Sequence, residues 1–230
     1  MAVRIIAVTQ PLDMSAEEFI AYTARVSNPS NQNNTLTAPK LLKYLIKNKH
    51  WSPFEMVSIT MDIETTRDIS HQIIRHRSFS FQEFSQRYAD PTKDMGFVTR
   101  ESRLQDHKNR QNSIVNKDAV LQGYWEERQD EVTKQSLDAY NWAIINGIAK
   151  EQARAVLPEG LTKSRLYMSG TLRSWIHYID VRADEGTQKE HREIAIGARE
   201  EILKHFPSLK EYWFSNATPN AKDKPWWPFW

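Results

Sequence analysis

The densest chemistry in the chain lies in one stretch, Arg75-His76-Arg77-Ser78-Phe79-Ser80-Phe81-Gln82-Glu83-Phe84-Ser85-Gln86-Arg87-Tyr88. Three arginines, a histidine, a glutamate and three serines interleave with aromatic residues. A guanidinium presents a planar fork of donors that matches phosphate oxygens, and a neighbouring hydroxyl adds a small donor. Ile73 and Ile74 precede the stretch and are expected to anchor it in the core, so that its charges are fixed beside apolar packing. Composition alone leaves two readings open: a site for an anionic ligand, or a solvated basic turn with scattered ion pairs. Ser85 adds a third, a nucleophile, although no His or Asp stands at a persuasive local spacing to activate it.

Absences narrow the chemistry further. The 230 residues contain no cysteine, which removes disulfides, Cys-ligated zinc, iron–sulfur clusters and thiolate nucleophiles together. Its seven glycines are Gly96, Gly123, Gly147, Gly160, Gly170, Gly186 and Gly197, none closer than ten residues to the next. Neither a Gly-x-Gly-x-x-Gly turn nor a P-loop can be built from them, so a nucleotide must be held by side chains and helix ends. No metal site is expected, since His71 and His76 are five apart and His107, His191 and His205 are isolated. Lys+Arg 31 against Asp+Glu 29 argues against a nucleic-acid module that would use the same arginines and aromatics for phosphate grip and base stacking. No apolar run approaches a membrane span, and the N-terminus is too short and strand-like for a signal peptide. A soluble cytoplasmic protein with no membrane partner is expected.

The elements that must position these residues follow from periodicity. Residues 3–9 read as a buried strand. Ser15 and Glu18 form a capping box for a helix carrying Phe19, Ile20, Thr23, Ala24 and Val26. Thr37 and Pro39 open a second helix that ends near His50. Residues 56–65 alternate, with Val57, Ile59, Met61 and Ile63 on one face, as in a half-buried strand. Thr66 is placed to cap a short helix bearing Ile69, Ile73 and Ile74, and Phe79 and Phe81 then alternate as in a strand. Residues 90–117 are a polar excursion with weak periodicity. A long helix is expected over residues 118–150, then a helical stretch that stops at Pro158. Residues 171–182 form a helix with Trp175, Ile176 and Ile179 inward, and Thr187 with Glu190 caps another that runs to Phe206. These elements predict an α+β chain, one domain over residues 1–230, with a mixed sheet packed against long helices. The tail Pro225-Trp226-Trp227-Pro228-Phe229-Trp230 is expected to dock against protein, because four large aromatics in six residues make an apolar patch that soluble proteins cover or use.

The polar stretch also obeys a spaced pattern. Arg75-His76-Arg77, seven residues (78–84), Ser85, one residue and Arg87 supply five fixed positions with fixed gaps. This resembles the signature of the flavin-dependent thymidylate synthases. His50-Trp51-Ser52-Pro53-Phe54-Glu55 resembles that family's upstream His-x-x-Pro-Phe-Glu element, and Ala153-Arg154-Ala155-Val156-Leu157-Pro158 its Ala-Arg-x-x-Leu-Pro element. Residues 171–182 resemble the helix that ends in a functional arginine. The resemblance implies an enzyme that methylates dUMP at C5 to give dTMP. Methylenetetrahydrofolate would supply the carbon, FAD the reducing equivalents, and NADPH would reload the flavin. It also implies a compact α/β arrangement and a homotetramer with sites where subunits meet. The missing thiol and the missing Gly-rich loop both agree with it.

Residue roles come by the same resemblance. Arg75, His76, Arg77, Ser78 and Glu83 fall among FAD-contacting positions, with Arg75 between flavin and nucleotide. Ser52, Thr171, Arg173 and His177 join them, Thr171 and His177 standing where other members carry Asn. Gln72, Arg75, Glu83, Ser85, Gln86, Arg87 and Arg154 fall on dUMP-contacting positions, Ser85 and Arg87 as phosphate grips. Arg182 would face the uracil edge, where a fixed cation stabilises the anion left when N3 loses its proton and so makes C5 more nucleophilic. His50 matches a histidine near the flavin ring. Without the resemblance, Arg154 and Arg182 read as helical arginines in salt bridges, and His50 as a helix-end histidine set against the dipole. A flavoprotein of this fold with a changed substrate is the nearest alternative, and Ser85, Arg87, Arg154 and Arg182 argue against it.

Overall fold

In the computed structural model, which describes residues 2–215, the chain runs β1 (Ala2–Val8), α1 (Ala16–Ala24), α2 (Ala38–Lys47), β2 (Ser58–Thr66), α3 (Arg67–Ile73), β3 (Ser80–Glu83), α4 (Pro91–Asp94), β4 (Arg103–Gln105), β5 (Ser113–Val115), α5 (Ala119–Ile145), α6 (Lys150–Ala153), β6 (Lys163–Thr171), α7 (Leu172–Arg182), α8 (Lys189–His205) and α9 (Lys210–Ser215). Short 3-10 turns precede β2 and follow α6. The aromatic tail at 225–230 lies outside the described residues.

The main sheet has the order β1-β2-β6-β3, and each neighbouring pair is antiparallel. The α+β class is therefore as expected, but the sheet is antiparallel throughout rather than mixed. Its centre is β6, a strand that the sequence reading passed over. Ile59, Met61 and Ile63 of β2 stand opposite Gly170, Met168 and Leu166 of β6 and point into the core. The opposite face is polar. There Asp62 is buried beneath two arginines, Arg4 at 2.8 Å and Arg165 at 2.5 Å. The hydrogen bond from Arg165 holds the Asp62 carboxyl below the usual range against the opposing effect of burial.

Several expectations change at this level. Strand β1 is an edge strand with an alternating, partly exposed pattern, not a buried one, because only β2 pairs with it. The capping box at Ser15 and Glu18 is present. The one expected at Thr187 and Glu190 is not: Gln188 is the cap residue of α8, and Glu190 turns to arginines instead. Thr66 sits at the start of α3, but its hydroxyl donates to Asp68 rather than capping the helix. Ile73 is fully buried as expected, whereas Ile74, one residue past α3, is 40% exposed. Residues 90–117 contain the short helix α4 and a two-stranded hairpin, β4 with β5.

The anchor of the basic stretch is instead Phe79. Its ring packs edge-on against Trp175 at 4.9 Å and covers Gly170 so closely that a Cβ there would overlap it. Trp175, fully buried, donates its indole N–H to the Ile59 carbonyl at 3.1 Å, which ties α7 to the sheet centre.

Candidate active site

The expected site residues fall into three groups. The first surrounds the turn between α2 and β2. Lys49 takes a left-handed conformation, φ 58°, and redirects the chain after α2. That is costly for a residue with a Cβ, about 1–2 kcal/mol. His50 and Ser52 follow at once and line a cleft of about 600 Å³ together with Trp51, Leu45 and Arg173. Thr171 caps α7 by accepting the Ser174 N–H, which sets Arg173 in the first turn facing the cleft and paired with Glu55. His177 lies one turn further on, its ring 5.3 Å from Trp51. Burial above all holds His177 below the ordinary imidazole range, against the pull of Asp180 and with help from Arg173.

The second group forms where α3 ends. Arg75, Arg77 and Ser78 are exposed on the following turn, while His76 turns inward. Arg182, from the last turn of α7, donates its Nε–H to His76 Nε2 at 3.0 Å. That ring nitrogen must therefore be unprotonated, and burial together with Arg182 and Arg75 keeps His76 neutral, pushed down to about 4. Behind it lie two groups that the sequence reading did not assign. Tyr178 meets the His76 ring edge-on at 5.0 Å and bonds to His191 Nε2 at 3.1 Å. His191 Nδ1 in turn lies 3.2 Å from Gln72 Oε1. Tyr178 and His191 are both buried, and burial raises the Tyr178 hydroxyl well above its usual range. His191 had a visible signal: it opens the buried stripe His191, Ile194, Ala195, Ala198 on α8, where an apolar residue would be expected.

The third group surrounds β3 and the turn after it. Glu83 ends β3 on the core-facing side, and one of its oxygens, Oε1, accepts from Ser70 and Ser164 at 2.8 Å each and from Arg67 at 3.2 Å. Arg67, Ser70 and Ser164 were also missed, since nothing in their spacing marks them before β6 is placed. Gln86 is buried and lines a smaller cleft of about 190 Å³ with Arg67 and Arg154. Ser85 Oγ accepts the Arg87 N–H at 3.4 Å, and Arg87 pairs with Glu151 at 3.4 Å. Among the described residues no histidine or carboxylate bonds to the Ser85 hydroxyl, so the nucleophile reading finds no base. No group of His, Asp and Glu that could hold a metal occurs among the described residues, and none of their helices is long and apolar enough to cross a membrane.

The buried, neutral His191 gives a pH dependence. Burial, with Arg182, His76 and Arg75 nearby, pushes His191 down to about 3. In the unfolded chain it protonates near about 6.5. As pH falls below that value the unfolded state takes up the proton and the folded state does not, so stability drops. His191 alone should account for roughly 2 kcal/mol between about pH 7 and about pH 5. Denaturant melts at the two pH values should show this loss in the wild type and a flatter dependence in His191→Leu. Equal slopes would show that His191 is not held neutral.

Comparison with known proteins places the chain. Residues 9–208 match the family model described as thymidylate synthase complementing protein. A flavin-dependent thymidylate synthase of Synechocystis sp. is 50% identical over 215 residues, spanning 91% of this chain and 97% of the relative. A probable flavin-dependent thymidylate synthase of Paramecium bursaria Chlorella virus 1 is 49% identical over 212 residues, with the same coverage of each, 91% and 97%. Among solved structures, a UMP/dUMP methylase from Streptomyces cacaoi bound with 5-Br UMP shares the fold, with a TM-score of 0.79, 22% identity and 93% of each chain covered. With the Arg75–Arg87 pattern and the antiparallel fold that carries it, the chain belongs to the flavin-dependent thymidylate synthase family.

Proposed function

We propose that the protein methylates dUMP to dTMP, taking the carbon from methylenetetrahydrofolate and reducing equivalents from FAD that NADPH reloads, in the cytoplasm. The observation that carries the reading is the Arg182–His76 contact. A half-buried guanidinium is fixed by its Nε against a neutral imidazole, which leaves its outer nitrogens to meet an electron-rich ligand edge. A cation held in this way stabilises negative charge developing on a uracil ring.

The residues present also suit FAD. Arg75 and Arg77 are exposed guanidiniums able to meet a diphosphate, and the His50–Ser52 cleft offers a hydroxyl, an imidazole and the Trp51 ring. Arg75, His76, Arg77, Ser78, Ser52, Thr171, Arg173, His177 and Glu83 would hold it, with His50 near the reacting ring. When bound, the flavin supplies the electrons that convert a transferred methylene into a methyl group. The chain's own part is to bind and orient. Ser85, Arg87 and Arg154 grip the nucleotide phosphate, Gln72, Gln86 and Glu83 orient the nucleotide, and Arg182 stabilises the uracil anion.

We read the working form as a homotetramer with shared sites. Arg173 and His177 are four residues apart on one face of α7 and look toward the Trp51 cleft. Tyr178 and Arg182 lie on another face, at the far end of a helix about 15 Å long, and look toward His76. A flavin site and a nucleotide site set on different faces of one helix are naturally completed by a second copy.

The direct test is incubation with dUMP, methylenetetrahydrofolate, FAD and NADPH. dTMP should form, and thiol-blocking reagents should not reduce it, since the chain has no cysteine. Absence of dTMP from reduced, flavin-loaded protein would reject the reading. Ser85→Ala should raise the dUMP Kd roughly 10- to 100-fold, as expected for losing a hydrogen bond to a charged group, with turnover at saturating dUMP largely kept. A dead variant with normal dUMP affinity would restore Ser85 as a nucleophile.

A further inference from the structure

We propose that His191 is a positioning residue for the nucleotide site: it fixes the side-chain amide of Gln72 so that one Gln72 N–H is presented to an acceptor oxygen of the nucleotide. The proposal rests on the reading of this site as a dUMP site.

The polarity of a buried chain of hydrogen bonds leads to it. Glu190 is gripped by Arg103 through both oxygens, at 2.7 and 2.8 Å, and approached by Arg100 at 3.3 Å. A carboxylate in that setting only accepts. Gln188, 3.0 Å from Glu190 Oε2, must therefore turn its amide nitrogen toward it. The Gln188 oxygen then faces Gln72 at 2.8 Å, so Gln72 must present its own nitrogen there. This leaves Gln72 Oε1 facing His191 Nδ1 at 3.2 Å, and the bond forms only when Nδ1 carries the proton. A neutral imidazole has one ring proton, so His191 Nε2 accepts, and Tyr178 donates its hydroxyl at 3.1 Å.

Every group in this chain has its orientation dictated by its neighbour, starting from Glu190. The result at Gln72 is specific. Its oxygen is taken by His191 and one amide hydrogen by Gln188, and the second hydrogen is left for a ligand. Gln72 is only partly buried, at the end of α3 that also carries the His76 turn. A histidine adds nothing to the packing of the Ile194 and Ala195 stripe that a leucine would not supply. Both its nitrogens are bonded, one to Gln72 and the other to a tyrosine that backs His76. Without His191, Gln72 is held at one point instead of two.

The test compares His191→Leu, which removes both bonds, with His191→Asn, whose amide nitrogen sits where Nδ1 lies and keeps the bond to Gln72. Binding of dUMP to the flavin-loaded protein is measured by calorimetry, with flavin content and melting temperature recorded for each. The leucine variant should raise the dUMP Kd about tenfold, the scale of one buried hydrogen bond, with its flavin retained. The asparagine variant should return to within about threefold of wild type, although it lacks the Tyr178 bond. If the leucine variant does not fold, His191→Gln takes its place, because its longer amide reaches the Nε2 position and serves Tyr178 but not Gln72; weak binding by Gln beside tight binding by Asn supports the proposal. Equal dUMP affinity in the compared variants, or wild-type affinity in leucine, overturns it. Wild-type protein that does not bind dUMP at all overturns the functional reading and the proposal with it, and the wild-type titration alone separates that failure from the others.

Discussion

The Arg182→Ala variant should form dTMP about 10²- to 10³-fold more slowly at saturating dUMP, the range for losing one fixed donor to a developing anion. It should stay yellow, because in the proposed reading Arg182 meets the uracil and not the flavin. The contact between Arg182 Nε and His76 Nε2 predicts that lysine will be a poor substitute. An ammonium restores the charge but not the fork that bonds inward with one nitrogen and outward with the others. Arg182→Lys is therefore expected to recover part of the lost rate and not all of it. Near-normal turnover in the alanine variant would remove Arg182 from the chemistry. A colourless protein would move it to flavin binding instead.

What the sequence revealed, and what it hid, follows from the range of the interactions. Ser15 caps α1 as expected, and the helices expected from residues 118 and 171 do begin there, with Asp118 and Thr171 as their caps, because a helix start is set by residues within one turn. The alternation in β2 was legible for the same reason. Strand β6 was not read, although Ser164, Leu166 and Met168 alternate on its core face. Its nine residues lie between a helix-terminating proline and a helix start, and the reading stopped at both. Missing β6 made the sheet look mixed and hid Ser164 beside Glu83. Glu190 shows a related failure. Three residues after Thr187 it fits a capping box, yet Arg103, 87 residues away in sequence, claims it. The family resemblance named Gln72, His76 and Arg182 without showing that hydrogen bonds and ring contacts through Tyr178 and His191 connect them. His191 stands out only as a polar residue in the buried stripe of α8, and its link to Tyr178 is made only when α7 and α8 pack side by side.

Glu83→Ala is expected to have the largest effect on stability among the site residues. The three donors on Oε1 come from two elements besides β3 itself: Arg67 and Ser70 from α3, and Ser164 from β6. Ser70 and Ser164 are essentially inaccessible to water, so neither can exchange Glu83 for solvent. Removing the carboxylate leaves a guanidinium and two hydroxyls without their acceptor, a loss of about 3–5 kcal/mol for a broken buried pair. For a chain of this size that corresponds to a fall in melting temperature of roughly 6–20 °C. Glu83→Gln keeps an amide oxygen where Oε1 lies, so it should lose about a third of that stability while still weakening dUMP or flavin binding through the missing charge. The comparison separates the structural duty of Oε1, which holds β3 to α3 and β6, from the charge that we propose for ligand binding. If both variants melt within a degree or two of wild type, the cluster does not hold β3 in place, and the positions of Ser85, Gln86 and Arg87 must be set by the turn that follows it.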